Sequence, residues 1–168
     1  MNIAYFILSL VLVSTPHDGA VVFVRNNGKQ DIVSKEIVKA TGDTLVHTAI
    51  VLYDKNVPYV YESTVPGGVQ KQTLEQFYIK RDKISKRAPS KKLTLELVIP
   101  KIEYSQQELA KMKKYAKSQL GRPYMMRGWW KEQEVSGIHC SQYVSNIISQ
   151  SGRIVSDNYK ESDRKSVV

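Results

Sequence analysis

Hydrophobic and polar positions fall into blocks with short periods over the first hundred residues and longer ones after them. Residues 20–24 (AVVFV) are a β-rich burst behind the turn-forming pair Asp18-Gly19 and predict a short buried strand. Residues 45–53 (LVHTAIVLY) predict the strongest strand. Residues 57–62 (VPYVYE) predict a second one across the turn Asp54-Lys55-Asn56, so the two make a hairpin. In 93–99, Leu93, Leu95, Leu97 and Ile99 alternate with Thr94, Glu96 and Val98, the period of a strand with one face in the core. Between these, 26–44 is polar with a helical turn expected around 34–39, and Pro66-Gly67-Gly68 is expected to break the sheet. The basic stretch 80–92 (KRDKISKRAPSKK) is expected to be a surface loop.

The period then lengthens. Ser105-Gln106-Gln107-Glu108 fits a capping box, in which the serine hydroxyl takes an orphan helix N–H and the glutamate reaches back to the cap. Leu109, Met112, Ala116 and Leu120 form one stripe of the helix that follows, which is core, and Gly121 is placed to end it. Residues 121–137 are irregular and aromatic. Residues 140–151 predict a last helix with Val144, Ile147 and Ile148 inward and Gly152 behind it.

A chain of 168 residues, 42% hydrophobic and 24% charged, suits one globular domain, expected over residues 15–168. Residues 1–14 are expected to be a signal peptide. Their run IAYFILSLVLV is too short to span a bilayer and right for an h-region, although the stretch before it holds no Lys or Arg. Export to the periplasm, the cell envelope or the medium follows from that expectation. The net charge of +9 favours anionic surroundings such as nucleic acid, a membrane surface or a cell-wall polymer, but charge alone does not choose among them, and a merely soluble basic surface is the competing reading. No helix-turn-helix, zinc-finger or aromatic RNA-binding signature accompanies it, so nucleic acid is not an expected partner.

One cysteine rules out an internal disulfide and a cysteine-based zinc cluster. A lone thiol is either buried filler or a nucleophile. Cys140 stands where the last helix should begin, and there unpaired N–H groups and the helix dipole favour a thiolate. The candidate bases are His17, His47 and His139. His139 adjoins the cysteine and its side chain should diverge from it, and His17 precedes the first strand. His47 lies inside the strongest strand, an expensive place for an imidazole without a partner. If Tyr53 pairs with Asn56, or Leu52 with Val57, His47 lies directly opposite Glu62, with Cβ atoms roughly 4.5–5.5 Å apart. The competing reading of that pair is a cross-strand ion pair without a catalytic role.

The order of these features resembles the permuted papain-like cysteine amidases, the YiiX and YaeF group within the NlpC-type peptidase superfamily. The matching stretches are Asp18-Gly19-Ala20-Val21-Val22-Phe23, Val46-His47-Thr48-Ala49-Ile50-Val51, Tyr61-Glu62, Gly68-Val69, Gly121-Arg122-Pro123-Tyr124 and His139-Cys140-Ser141. In this group the histidine precedes the cysteine, the reverse of ordinary papain-like enzymes. The family's opening Gly-Asp stands here inverted as Asp18-Gly19, and an aromatic residue expected before the cysteine is His139.

The resemblance implies an α+β, circularly permuted papain-like fold, an antiparallel sheet packed against helices that include the nucleophile's. It implies Cys140 as nucleophile, His47 as general base, Glu62 as the residue orienting it, and Tyr124 beside the site. Trp129 and Trp130 are candidates for a substrate wall, with simple packing as the alternative. No metal or organic cofactor is expected. The activity implied is hydrolysis of amide bonds in cell-wall peptides or related conjugates. A lipid-directed acyl hydrolase or acyltransferase is the close alternative, and a non-catalytic basic module binding a polyanion is the alternative of a different class.

Overall fold

The computed structural model describes residues 16–88, 90, 92–125, 137–153 and 164–167. The segment expected to be a signal peptide, and Trp129 and Trp130, lie outside the described residues. The elements run β1 (Val21–Asn26), α1 (Ile32–Thr41), β2 (Leu45–Asp54), β3 (Val57–Thr64), β4 (Gly68–Thr73), α2 (Leu74–Arg87), β5 (Leu93–Val98), α3 (Gln106–Ser118), α4 (Cys140–Ser149) and β6 (Arg164–Val167). The strands form one antiparallel sheet in the order β4-β3-β2-β1-β5-β6.

Alternation along the strands gives the sheet two apolar faces. Ile50, Leu52 and Tyr61 pack on one side with Leu109, Met112 and Ala116 of α3 and with Tyr143, Val144, Ile147 and Ile148 of α4. Val22, Val24, Ala49, Val51, Val60 and Leu97 pack on the other with Leu74 and Phe77 of α2. The α3 stripe follows the expected spacing, and each fully buried Leu or Met contributes about 1.5–3 kcal/mol. Ser105 and Glu108 form the expected capping box. Leu120 departs from the stripe. The helix closes at Ser118, so Leu120 is left exposed beyond it.

Three expectations are corrected. The Pro66-Gly67-Gly68 stretch turns the chain instead of breaking the sheet, because Gly68 pairs with Thr64 and β4 continues it. Most of the basic stretch expected to be a loop is α2. Thr73 and Gln76 cap it reciprocally, and Leu74 and Phe77 bury one side while the lysines remain in solvent. The β2–β3 hairpin closes through Lys55-Asn56, both at positive φ (48° and 65°), which pairs Asp54 with Val57 and Ala49 with Glu62. This two-residue turn with both central residues left-handed matches the strand twist. It places Glu62 diagonal to His47 instead of directly opposite, on the same face because the shift is two residues.

Candidate active site

The His47 ring is buried on the α2 face of the sheet. Its Nε2 meets Glu62 Oε2 at 2.7 Å, a diagonal reach that a long side chain spans across paired strands. Glu62 is fully buried, and donors surround both its oxygens. Gln70, directly opposite on β4, donates to Oε1 at 2.8 Å, and Gln72 donates to the same oxygen at 2.6 Å. From α2, Arg81 donates to Oε2 at 2.8 Å, and Lys80 Nζ stands 3.9 Å from Oε1. Burial pushes the Glu62 carboxyl up, but the hydrogen bond and charge of His47, the charge of Arg81 and the Gln70 amide outweigh it, leaving a value of about 2.

Cys140 reaches this pair where β2 and β3 part. The strands stay paired as far as Ala49 and Glu62. Past that point Ser63 Oγ donates to Ile138 O at 2.7 Å, and the Thr48 and Ser141 N–H groups are directed at the Cys140 sulfur. The thiol, the first residue of α4, is thus seated at the mouth of the splayed hairpin against His47. Burial raises the thiol's pKa. The hydrogen bond and charge of His47 and the two backbone N–H groups more than offset this, so it falls below the ordinary cysteine value. His47 shows the mirror effect: burial lowers it, while the thiol and Glu62 raise it above the ordinary imidazole value against the opposing charge of Arg81. With Nε2 held by Glu62, Nδ1 is the ring nitrogen left for the thiol.

The segment before α4 is fixed by close backbone approach. Val69 N–H donates to Arg122 O and Ile138 N–H to Pro123 O. A Cβ on Gly68 would stand 2.2 Å from Arg122 O, and one on Gly137 would stand 2.4 Å from Met125 Cβ, so both crossings require glycine. The same strap presents Tyr124, half-buried, whose hydroxyl is pushed up to about 12 by burial and by the Cys140 charge. Tyr124 and His47 border a cleft of about 350 Å³ on the α2 face, walled further by Val24, Ile37, Val46, Val65, Ile84 and Leu93, with Asn26, Asp31, Ser34, Thr64 and Arg81 also in its lining.

The expected residues Cys140, His47, Glu62 and Tyr124 are therefore brought together. His139 caps α4, its Nδ1 accepting from Gln142 N–H, and His17 pairs with Glu103. Sequence reasoning missed Gln70, Gln72 and Arg81. The available signals were the Thr73-x-x-Gln76 cap, the spacing of Leu74, Phe77, Arg81 and Ile84 on one helical side, and the alternation of the two glutamines along a strand.

Residues 15–167 match the family described as permuted papain-like amidase enzyme, YaeF/YiiX, C92 family. No curated protein matches the chain. Among solved structures it is similar to metalloprotein yiiX from Escherichia coli O157:H7, with 23% identity and a TM-score of 0.61, over 81% of this chain and 66% of that one. The fold is accordingly α+β and permuted papain-like, as the resemblance implied. With the family's description covering nearly the whole chain, the protein belongs to the permuted papain-like amidases of the YaeF/YiiX type.

Proposed function

We propose that the protein is a cysteine hydrolase that cleaves amide bonds through Cys140, His47 and Glu62. The observation that carries this reading is a lone thiol at a helix start whose imidazole neighbour is held from behind, at 2.7 Å, by a fully buried carboxylate. The thiolate attacks the carbonyl carbon and the tetrahedral oxyanion forms. Collapse expels the amine, which takes its proton from the His47 imidazolium and leaves a thioester on Cys140. Water, deprotonated by the same imidazole, adds to the thioester and releases the acid and the thiol. The Cys140 N–H at the start of α4 and the Tyr124 hydroxyl are the proposed donors to the developing oxyanion.

The similar YiiX structure is described as that of a metalloprotein. Among the described residues of this chain no three His, Cys, Asp or Glu side chains gather to hold a metal ion, and both Glu62 oxygens are taken up by donors. No step of the proposed reaction runs through a metal.

The substrate class proposed is cell-wall peptides or related peptide conjugates, met after export, with the +9 charge favouring residence on anionic wall polymer or a membrane surface. Trp129 and Trp130 are the proposed further substrate contacts. A second reading, hydrolysis or transfer of a lipid acyl group, is favoured by one observation: six of the thirteen residues lining the cleft next to His47 are aliphatic, beside the polar Asn26, Asp31 and Ser34. Purified protein assayed on muropeptides and on acyl lipids separates the two. Hydrolysis by the wild type and none by Cys140→Ala supports the enzyme. A polyanion affinity that is salt-sensitive and independent of the thiol, with no turnover of either substrate, replaces it with a binding module.

A further inference from the structure

We propose that Arg81 is a positioning residue of this reaction: from α2 it keeps Glu62 charged and fixed against the His47 ring. The inference rests on the Cys140-His47-Glu62 reading and extends it to a residue from a helix that contributes none of the three. A carboxylate with no exposure to water and an imidazole as its only counter-charge would share one proton with it, and a neutral pair braces a base poorly. The donors around Glu62 differ in what they supply. Gln70 and Gln72 bring amide hydrogen bonds to Oε1 without charge. Lys80 is 44% exposed and, at 3.9 Å, beyond hydrogen-bond distance. Among the described residues Arg81 alone brings a permanent positive charge in direct contact, at 2.8 Å, on the oxygen that also holds His47.

Its placement is built. The α2 helix is capped at Thr73 and anchored by Leu74 and Phe77, and the guanidinium lies over the Phe77 ring at 4.9 Å. Its Nε is buried with no hydrogen-bond partner among the described residues, a cost accepted where the terminal nitrogen reaches Glu62. Among the described residues, the charged and titratable groups facing the carboxylate are His47 from β2, Lys80 and Arg81 from α2 and, beyond the ring, Cys140 from α4. The β4 strand offers only the two amides. With Arg81 balancing Glu62, the imidazolium's charge is left to pair with the thiolate.

Alkylation of Cys140 by iodoacetamide tests this, because the chain has no other cysteine to label. Rates are followed from about pH 4 to about pH 9 in the wild type, Arg81→Met, Arg81→Gln and Arg81→Lys. In both neutral variants the acid limb is expected to move up by about one pH unit, an alkylation about tenfold slower on that limb, while rates near pH 9 stay within about twofold. Arg81→Lys, which keeps the charge, is expected to restore most of the limb. If Arg81→Met fails to fold, Arg81→Gln, which keeps a polar donor on a shorter side chain, decides by the same criterion. A wild-type thiol titrating like free cysteine overturns the Cys-His reading and this inference together. A reactive wild type whose acid limb is unmoved in the neutral variants overturns the role of Arg81 alone.

Discussion

Glu62 stands one diagonal step from His47 across the β2–β3 hairpin, and its Oε2 still closes on His47 Nε2 at 2.7 Å. The residue directly across from Glu62 on β2 is Ala49, whose small side chain leaves the carboxylate free to lean toward the ring. On its other side Gln70 is directly opposite and pins the second oxygen. The imidazole is therefore oriented by a group that is itself immobilised from two further elements, which is the arrangement a general base needs.

Glu62→Gln retains the shape of the side chain and removes its charge. The imidazole then loses the partner that fixes its tautomer, and kcat/KM toward an amide substrate is expected to fall by about 10³-fold. The same change leaves Arg81 without its counter-charge, so urea unfolding should show a loss of about 3 kcal/mol. A variant with wild-type kcat/KM would remove Glu62 from the mechanism.

The depressed Glu62 carboxyl makes stability depend on pH with a definite sign. Its value is about 2 in the folded protein against an ordinary 4.5, so the stabilisation is fully present above 4.5 and is lost as pH falls from there toward 2. Because the group is buried, the contribution at neutral pH is on the order of 3 kcal/mol. Urea midpoints taken between neutral and acid pH should fall steeply below about pH 4.5 in the wild type and less steeply in Glu62→Gln. His47 has the opposite sign: its folded value is raised, so its contribution is complete below the ordinary imidazole value of 6.5 and disappears as pH climbs through the raised one.

Three glycines should respond to alanine in a graded way. At Gly121 a Cβ meets nothing within 4 Å, and the cost is that of a left-handed backbone at φ +83°, about 1 kcal/mol. At Gly68 the backbone is left-handed too, and the Cβ would lie 2.2 Å from a carbonyl oxygen, so a loss of more than about 2 kcal/mol is expected. Gly137→Ala meets Met125 Cβ and should displace the strap ahead of Cys140, lowering thiol alkylation as well as the melting temperature. Equal losses at Gly68 and Gly121 would contradict the close backbone approach.

The parts of the fold legible in the sequence are those set by local pattern. The Leu93, Leu95, Leu97 alternation, the Ser105–Glu108 capping box and the inward Val144, Ile147 and Ile148 all state their surroundings within a few residues. The hairpin register was not legible because it turns on Lys55 and Asn56 both adopting positive φ, a conformation that lysine rarely takes. The α2 helix was hidden by its own composition, since eight of its fourteen residues are exposed and it fully buries only Leu74 and Phe77. The positions of Cys140 and His47 were readable from residue type and context, whereas the crowd of donors around Glu62 was not. Gln70, Gln72 and Arg81 acquire meaning only once β4 and α2 are laid against β3.

The splayed end of the hairpin also orders events during synthesis. Every group that holds the imidazole, from His47 through Glu62, Gln70 and Gln72 to Arg81, is contained in the first half of the chain, whereas the sulfur is supplied by the last major helix. Since chains emerge N-terminus first, the basic half of the site can assemble on the ribosome while the nucleophile is still untranslated. On the proposed reading, a nascent chain carries no nucleophile until residue 140 has been added.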